Sequence, residues 1–219
     1  MNKIKKILMS ALMVGSAIAI VVAAIIFKQS FWRISPLFVS LTIALLQSKA
    51  NRYHALIGGI NSILYFVVYL YYGLYGMAFS ALFVSCPIQI ITFVMWNRNS
   101  WKETTVFRKM SNKYRFFICV AFVIVLALIQ YVRKQFSSDY ALLDNAITLM
   151  VILTSFLTMF AFVEYTWLMI ISSVINIILY VVMLKESPEQ ATYLIFSVYS
   201  FICQVIGFFK VRKIYKQQQ

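Results

Sequence analysis

The chain has 219 residues, 63% of them hydrophobic and only 12% charged, with a mean hydropathy of +0.85. A soluble domain of this size is near half apolar and a quarter charged, so a soluble globular enzyme, a disordered tail and a disulfide scaffold are all excluded. The net charge of +14 does not point to nucleic acid, because the basic residues fall between apolar blocks and no basic helix face or aromatic RNA-binding motif accompanies them.

Eight apolar blocks follow in chain order, at about 7–27, 34–48, 53–72, 77–96, 115–132, 141–163, 165–184 and 190–209. Most approach the 20 residues that a helix rising about 1.5 Å per residue needs to cross about 30 Å of hydrocarbon. The opening Asn2-Lys3-Ile4-Lys5-Lys6 imitates a secretory signal. Its apolar part is longer than the usual 7–15 residues and more spans follow, so it is read as a retained first helix. Pro36 sits near the start of the second block, where a first helical turn tolerates it. Cys86, Cys119 and Cys203 lie inside blocks without a CxxC spacing and are read as packing residues. His54, the single histidine, stands at a helix end and is read as solvated. Tyr69, Tyr71, Tyr72 and Tyr75 read as an outer interfacial belt, and Trp96 and Trp101 as an inner one.

Counting Lys and Arg over alternating loops puts fifteen on one side and five on the other. The positive-inside rule then places both termini in the cytoplasm, as eight spans require. Shifting the chain by about 115 residues superimposes it on itself without a gap. Asn61 and Tyr65 meet Asn176 and Tyr180, Gln89 meets Gln204, Ser40 and Ser85 meet Ser155 and Ser200, and Arg98 meets Lys213. Apolar matches are cheap in such a chain, but Asn on Asn and Gln on Gln at one offset are not. The expected fold is therefore an all-α integral membrane protein with two parallel three-helix repeats. The divisions are an N-terminal transmembrane helix (1–28), a first repeat (29–98), a basic cytoplasmic loop and linker helix (99–140), a second repeat (141–213) and a cytoplasmic tail (214–219). One intervening crossing lets the halves share an orientation, an arrangement known among transporters.

Asn61, Asn176, Gln89 and Gln204 fall near the middle of their spans, where an unsatisfied amide costs several kcal/mol, so each must face another helix or a cavity. Interhelical bonding alone would account for any one of them. Their recurrence at the repeat interface points instead to a solute site, with Tyr65 and Tyr180 one turn beyond the asparagines on the same face. Trp167 opens the seventh span and is a candidate wall for a flat ring. The six acids, Glu103, Asp139, Asp144, Glu164, Glu186 and Glu189, lie in loops or near helix ends, so no carboxylate sits mid-membrane to couple protons. With no P-loop, metal-ligand set or catalytic constellation, the chain reads as a carrier of an uncharged or weakly charged solute, needing no cofactor.

The stretch Gly58-Gly59-Ile60-Asn61, then Leu64-Tyr65, Gly73-Leu74-Tyr75-Gly76 and Pro87-Ile88-Gln89-Ile90 running to Trp96, resembles the PnuC family of vitamin and nucleoside transporters. Val163-Glu164 before Trp167, then Asn176 and Gln204, are similar to that family's later helices. The resemblance covers about residues 26–213. It implies a SWEET-like fold and facilitated uptake of nicotinamide riboside, made one-way by a cytoplasmic kinase that phosphorylates the substrate. Relatives are specialised for thiamine, riboflavin or deoxynucleosides. Where the family carries its WxNW motif, the corresponding stretch here reads Glu164-Tyr165-Thr166-Trp167-Leu168-Met169, with one tryptophan and no asparagine, which keeps a deoxynucleoside or another vitamin in competition. The implied setting is a bacterial inner membrane, with a homo-oligomer left open. A vitamin-binding subunit of an ATP-driven transporter is the alternative from another class, and the long-range repeat argues against it.

Overall fold

The apolar blocks become helices because a backbone in hydrocarbon must satisfy its own hydrogen bonds. The computed structural model describes residues 3–71, 78–79, 81–133 and 141–219, and the side chains of 7–71, 78–79, 81–131 and 146–219. Tyr72, Tyr75, the Gly73–Gly76 stretch, Asp139 and the Asp144 side chain lie outside these described residues.

Among the described residues there are eight α-helices: α1 (Lys3–Ile26), α2 (Phe31–Ser48), α3 (Tyr53–Tyr71), α4 (Cys86–Arg98), α5 (Asn112–Arg133), α6 (Ala141–Met159), α7 (Tyr165–Met183) and α8 (Ala191–Gln218). A π-helical turn, Ala81–Ser85, leads into α4. Seven of the eight, α4 counted with that turn, hold a stretch long and apolar enough to span a membrane, and α6 contributes a shorter one, Ala146–Met159.

The second helix starts three residues before its predicted block. Ser30 caps it by accepting from the Arg33 N–H at 3.4 Å. Pro36 is therefore beyond the first turn and cannot donate to the Trp32 carbonyl. The Ser35 hydroxyl donates to that carbonyl instead, at 3.1 Å. At the other extreme, α8 runs well past its predicted end at 209, because Val211 and Ile214 are buried and hold its basic final turns against the body.

Six helices close into a ring. α2 packs on α3, α3 on α4, α4 on α6, α6 on α7, α7 on α8, and α8 returns to α2. α1 lies outside against α2 and α8, where Met9 and Ile20 join Leu37, Leu41, Tyr199 and Cys203. α5 lies outside against α6 and has no buried residue among those described. Cys119 on α5 is accordingly exposed, not packed, whereas Cys86 and Cys203 are buried.

One end of the ring is shut by the loop after α4, which the sequence presents only as a basic connection. Two short strands, β1 (Ser100–Trp101) and β2 (Thr104–Thr105), pair antiparallel around Lys102, whose φ is 57°. The Gln218 side chain at the end of α8 donates to the Thr105 carbonyl and accepts from the Phe107 N–H, both at 2.9 Å. Arg108 bridges the α6–α7 turn, donating to Ala161 O and accepting from Val163 N at 2.9 Å each. The chain just before α3 is tied in as well, through Arg52 N to Glu103 O at 3.1 Å.

Beneath this cap lies an aromatic core. Trp96 is fully buried and donates its indole N–H to Thr158 O at 2.8 Å. Its ring meets His54 edge-on at 4.9 Å, Phe107 at 5.6 Å and Tyr165 at 6.5 Å. Two expectations are corrected here. Trp96 is not an interfacial anchor, because a carbonyl 62 residues further along the chain offers its N–H a buried partner. His54 is not solvated: it is 2% exposed, with Nδ1 2.7 Å from Asn51 O.

Candidate functional site

The ring encloses a cavity of about 400 Å³, within the range typical of small-molecule sites. All six ring helices line it, and helical spacing explains which residues do so. On α7 the lining positions are Met169, Ser172, Ser173, Asn176 and Tyr180; on α8 they are Tyr193, Phe196, Ser197, Ser200 and Gln204. Both sets repeat the same steps of three and four, which keep one face of a helix turned inward. Tyr65 and Tyr69 of α3, Gln89 and Thr92 of α4, and Thr154, Ser155 and Thr158 of α6 complete the polar wall.

Five of the seven sequence candidates come together here: Tyr65, Gln89, Asn176, Tyr180 and Gln204. Asn61 does not reach the cavity. It is 5% exposed and donates to Ser40 Oγ at 2.9 Å, joining α3 to α2, while its Oδ1 is buried without a partner. Trp167 lies outside the ring, about half-exposed, edge-on to Phe208 at 4.6 Å and beneath the Arg212 guanidinium. Conversely, Tyr69, expected at the membrane surface, lines the cavity and stacks on Tyr65 at 5.5 Å. Tyr180 stacks on Tyr193 at 5.7 Å. His54, Gln47, Tyr69, Thr92, Tyr193 and the Ser/Thr rows of α6, α7 and α8 are among the lining residues that sequence reasoning missed. The available signal for the histidine is its spacing of eleven residues, about three helical turns, from Tyr65.

The paired glutamines are not chemically equivalent. Gln204 is spent within the protein: its Oε1 accepts from Ser173 Oγ and its Nε2 donates to Ser200 Oγ at 3.0 Å. Gln89 has no hydrogen bond to the described residues and is open to the cavity. The residue facing it, where Ser173 faces Gln204, is Gly58; a Cβ there would stand 3.0 Å from Gln89 Oε1. Asn176 donates one N–H to Ser172 O at 2.9 Å and keeps its carbonyl for the cavity. A solute therefore meets amides on three helices: Gln89 on α4, the half-free Asn176 on α7 and Gln47 on α2. Aromatic pairs flank it, and among the described residues no carboxylate, ammonium or guanidinium lines the wall.

Away from the basic end, Arg33 of α2 pairs with Glu189 of the α7–α8 connection at 2.9 Å, and Gln29 donates to Glu189 O at 2.5 Å. Glu164 is also structural. It accepts from Met110 N and is paired with Arg115, so it joins the cap to α5 and α7.

Residues 30–213 match the family model described as nicotinamide mononucleotide transporter. No curated protein matches significantly in sequence. The fold is similar to that of the crystal structure of the vitamin B3 transporter PnuC, with a TM-score of 0.79 over 100% of this chain and 94% of the other at 18% identity. A family match over most of its length, on a body of membrane-spanning helices, makes this chain a multi-pass membrane transporter of the nicotinamide mononucleotide transporter, or PnuC, family.

Proposed function

We propose that the protein is a facilitative uniporter for nicotinamide riboside or a closely related nucleoside, bound in the ring cavity and released by alternating access. The observation that carries this reading is a cavity of about 400 Å³ whose wall offers amides, hydroxyls and aromatic faces but, among the described residues, no fixed charge. The family description names a mononucleotide, yet a phosphate dianion would be desolvated in this cavity without a cationic partner, which is strongly unfavourable. A nucleoside, with hydroxyls and a base or carboxamide edge, matches what Gln89 and Asn176 present. The Tyr65–Tyr69 and Tyr180–Tyr193 pairs supply faces for a ring, including a cationic one.

The contact order of the ring supports two parallel repeats, α2–α4 and α6–α8. Exchanging the two sets leaves every neighbour relation unchanged. Rocking of one set against the other would then open the cavity alternately. With fifteen of twenty basic residues on the side of the cap, that end is assigned to the cytoplasm of a bacterial inner membrane. There a kinase phosphorylating the solute would make uptake one-way.

The test is calorimetric titration of the purified protein with nicotinamide riboside, nicotinamide mononucleotide, thymidine, uridine, thiamine and riboflavin. Nicotinamide riboside should bind and the mononucleotide should not. Gln89→Ala and Asn176→Ala should each weaken binding about ten-fold, the size of one hydrogen bond to a ligand. Preference for the mononucleotide, or binding indifferent to both substitutions, overturns this reading. Preference for another panel member transfers the site to that solute.

A further inference from the structure

A second cavity, of about 570 Å³, opens beside the cap between the start of α7 and the last turns of α8. Lys109, Arg115, Arg212 and Lys216 surround it, with Trp167 and Glu164. Glu164 is consumed by Arg115 and the Met110 N–H, whereas Lys109, Arg212 and Lys216 are exposed and meet no acidic side chain among the described residues. Three positive groups without an ion-pair partner among the described residues thus converge on one crevice.

Arg212 is held in place. Its guanidinium carbon lies 4.1 Å from the Phe208 ring centre and 5.4 Å from that of Trp167. Stacking fixes the plane of the guanidinium while leaving its N–H edge free, the arrangement suited to a phosphate. Outside the crevice lining, three residues before Arg212 on α8, Phe209 is edge-on to Phe208 and 66% exposed. A ligand here meets positive charge at one end and an apolar, membrane-facing surface at the other.

We propose that this crevice binds the phosphodiester headgroup of a net-anionic glycerophospholipid, with its acyl chains along Phe209 and the outer face of α8. A free phosphate would use the charges and leave the aromatic wall idle; a lipid uses both. The occupant would brace the end of α8, whose Gln218 holds the cap shut, and so act on the transporter from outside the solute cavity.

Native mass spectrometry of the full chain, released from micelles holding equal phosphatidylglycerol and phosphatidylcholine, tests the assignment. One phosphatidylglycerol should stay bound in preference to phosphatidylcholine. That preference should fall about five-fold for each charge removed in Lys109→Gln, Arg212→Gln and Lys216→Gln, singly and combined. Lys216→Gln alone, at an exposed position, keeps the test decisive if the combined variant fails to fold. Equal retention of the two lipids, or a preference unchanged by the substitutions, overturns the proposal. Displacement of the lipid by inorganic phosphate also overturns it and makes the crevice a site for soluble phosphate.

Discussion

Gly58 governs what Gln89 can do. A glutamine with no protein partner in a membrane cavity is costly unless a ligand or water answers it, and Gln89 stays open because residue 58 carries no side chain to engage it. At the equivalent place in the second half, Ser173 Oγ closes on Gln204. Gly58→Ala should push the end of the Gln89 side chain aside, since the new Cβ would lie 3.0 Å from its Oε1. The far end of a flexible side chain gives way cheaply, so thermal stability should hold while solute affinity falls several-fold. Titration and a melting curve on the same sample check both halves of that statement, and loss of stability at unchanged affinity would contradict it. The two glutamines and the serine-for-glycine exchange stand in the sequence at one offset, but which glutamine is free depends on bonds across a helix pair. Asn61 shows the same limit: its spacing places it on the inward face of α3, and only the Ser40 hydroxyl on α2 explains why it stops short of the cavity.

Helices were readable because length and apolarity alone decide that a segment crosses a bilayer. The starts of α3, α6 and α7 fall where the apolar blocks begin. The cap was not readable, because it is built from backbone groups paired with residues remote in the chain, such as Gln218 with Thr105 and Arg108 with Val163. Such pairings leave no periodicity. The closest backbone approach of α8 to α2 at Gly207 likewise depends on one small residue. A Cβ at Gly207 would stand 3.2 Å from Gln47 O and 3.3 Å from the Ser48 Cα, both backbone atoms that cannot step aside. Gly207→Ala gains about 1 kcal/mol of helix propensity and meets an overpacking cost of about 1–3 kcal/mol, so the melting temperature in detergent should fall. Gly15→Ala on α1, where nothing lies within 4 Å, is the control and should raise it or leave it unchanged. A Gly207→Ala protein as stable as its parent would mean that α2 and α8 separate freely at this crossing.

As a whole, the molecule is a ring tied at both ends. The folded cap and the Trp96 core hold one mouth, and at the other the Arg33–Glu189 pair spans from α2 to the α7–α8 connection. A half-exposed, solvent-screened pair of this kind contributes little to stability, about 0–1 kcal/mol, so it would break in the proposed cycle at small cost. Among the described residues, no ionised side chain lines the cavity between the two mouths. On the uniport reading proposed above, the membrane potential acts on no charge of these residues inside the cavity, and the electrical character of the process belongs to the passenger. A neutral nucleoside should cross without current and equilibrate at equal concentrations whatever the voltage. A singly positive one, such as nicotinamide riboside, should accumulate inside a negative compartment by about fifty-fold per 100 mV, from about 2.3 kcal/mol per charge. Proteoliposomes clamped with a potassium diffusion potential separate the two cases, and voltage-dependent accumulation of a neutral nucleoside would reveal an ion travelling with it.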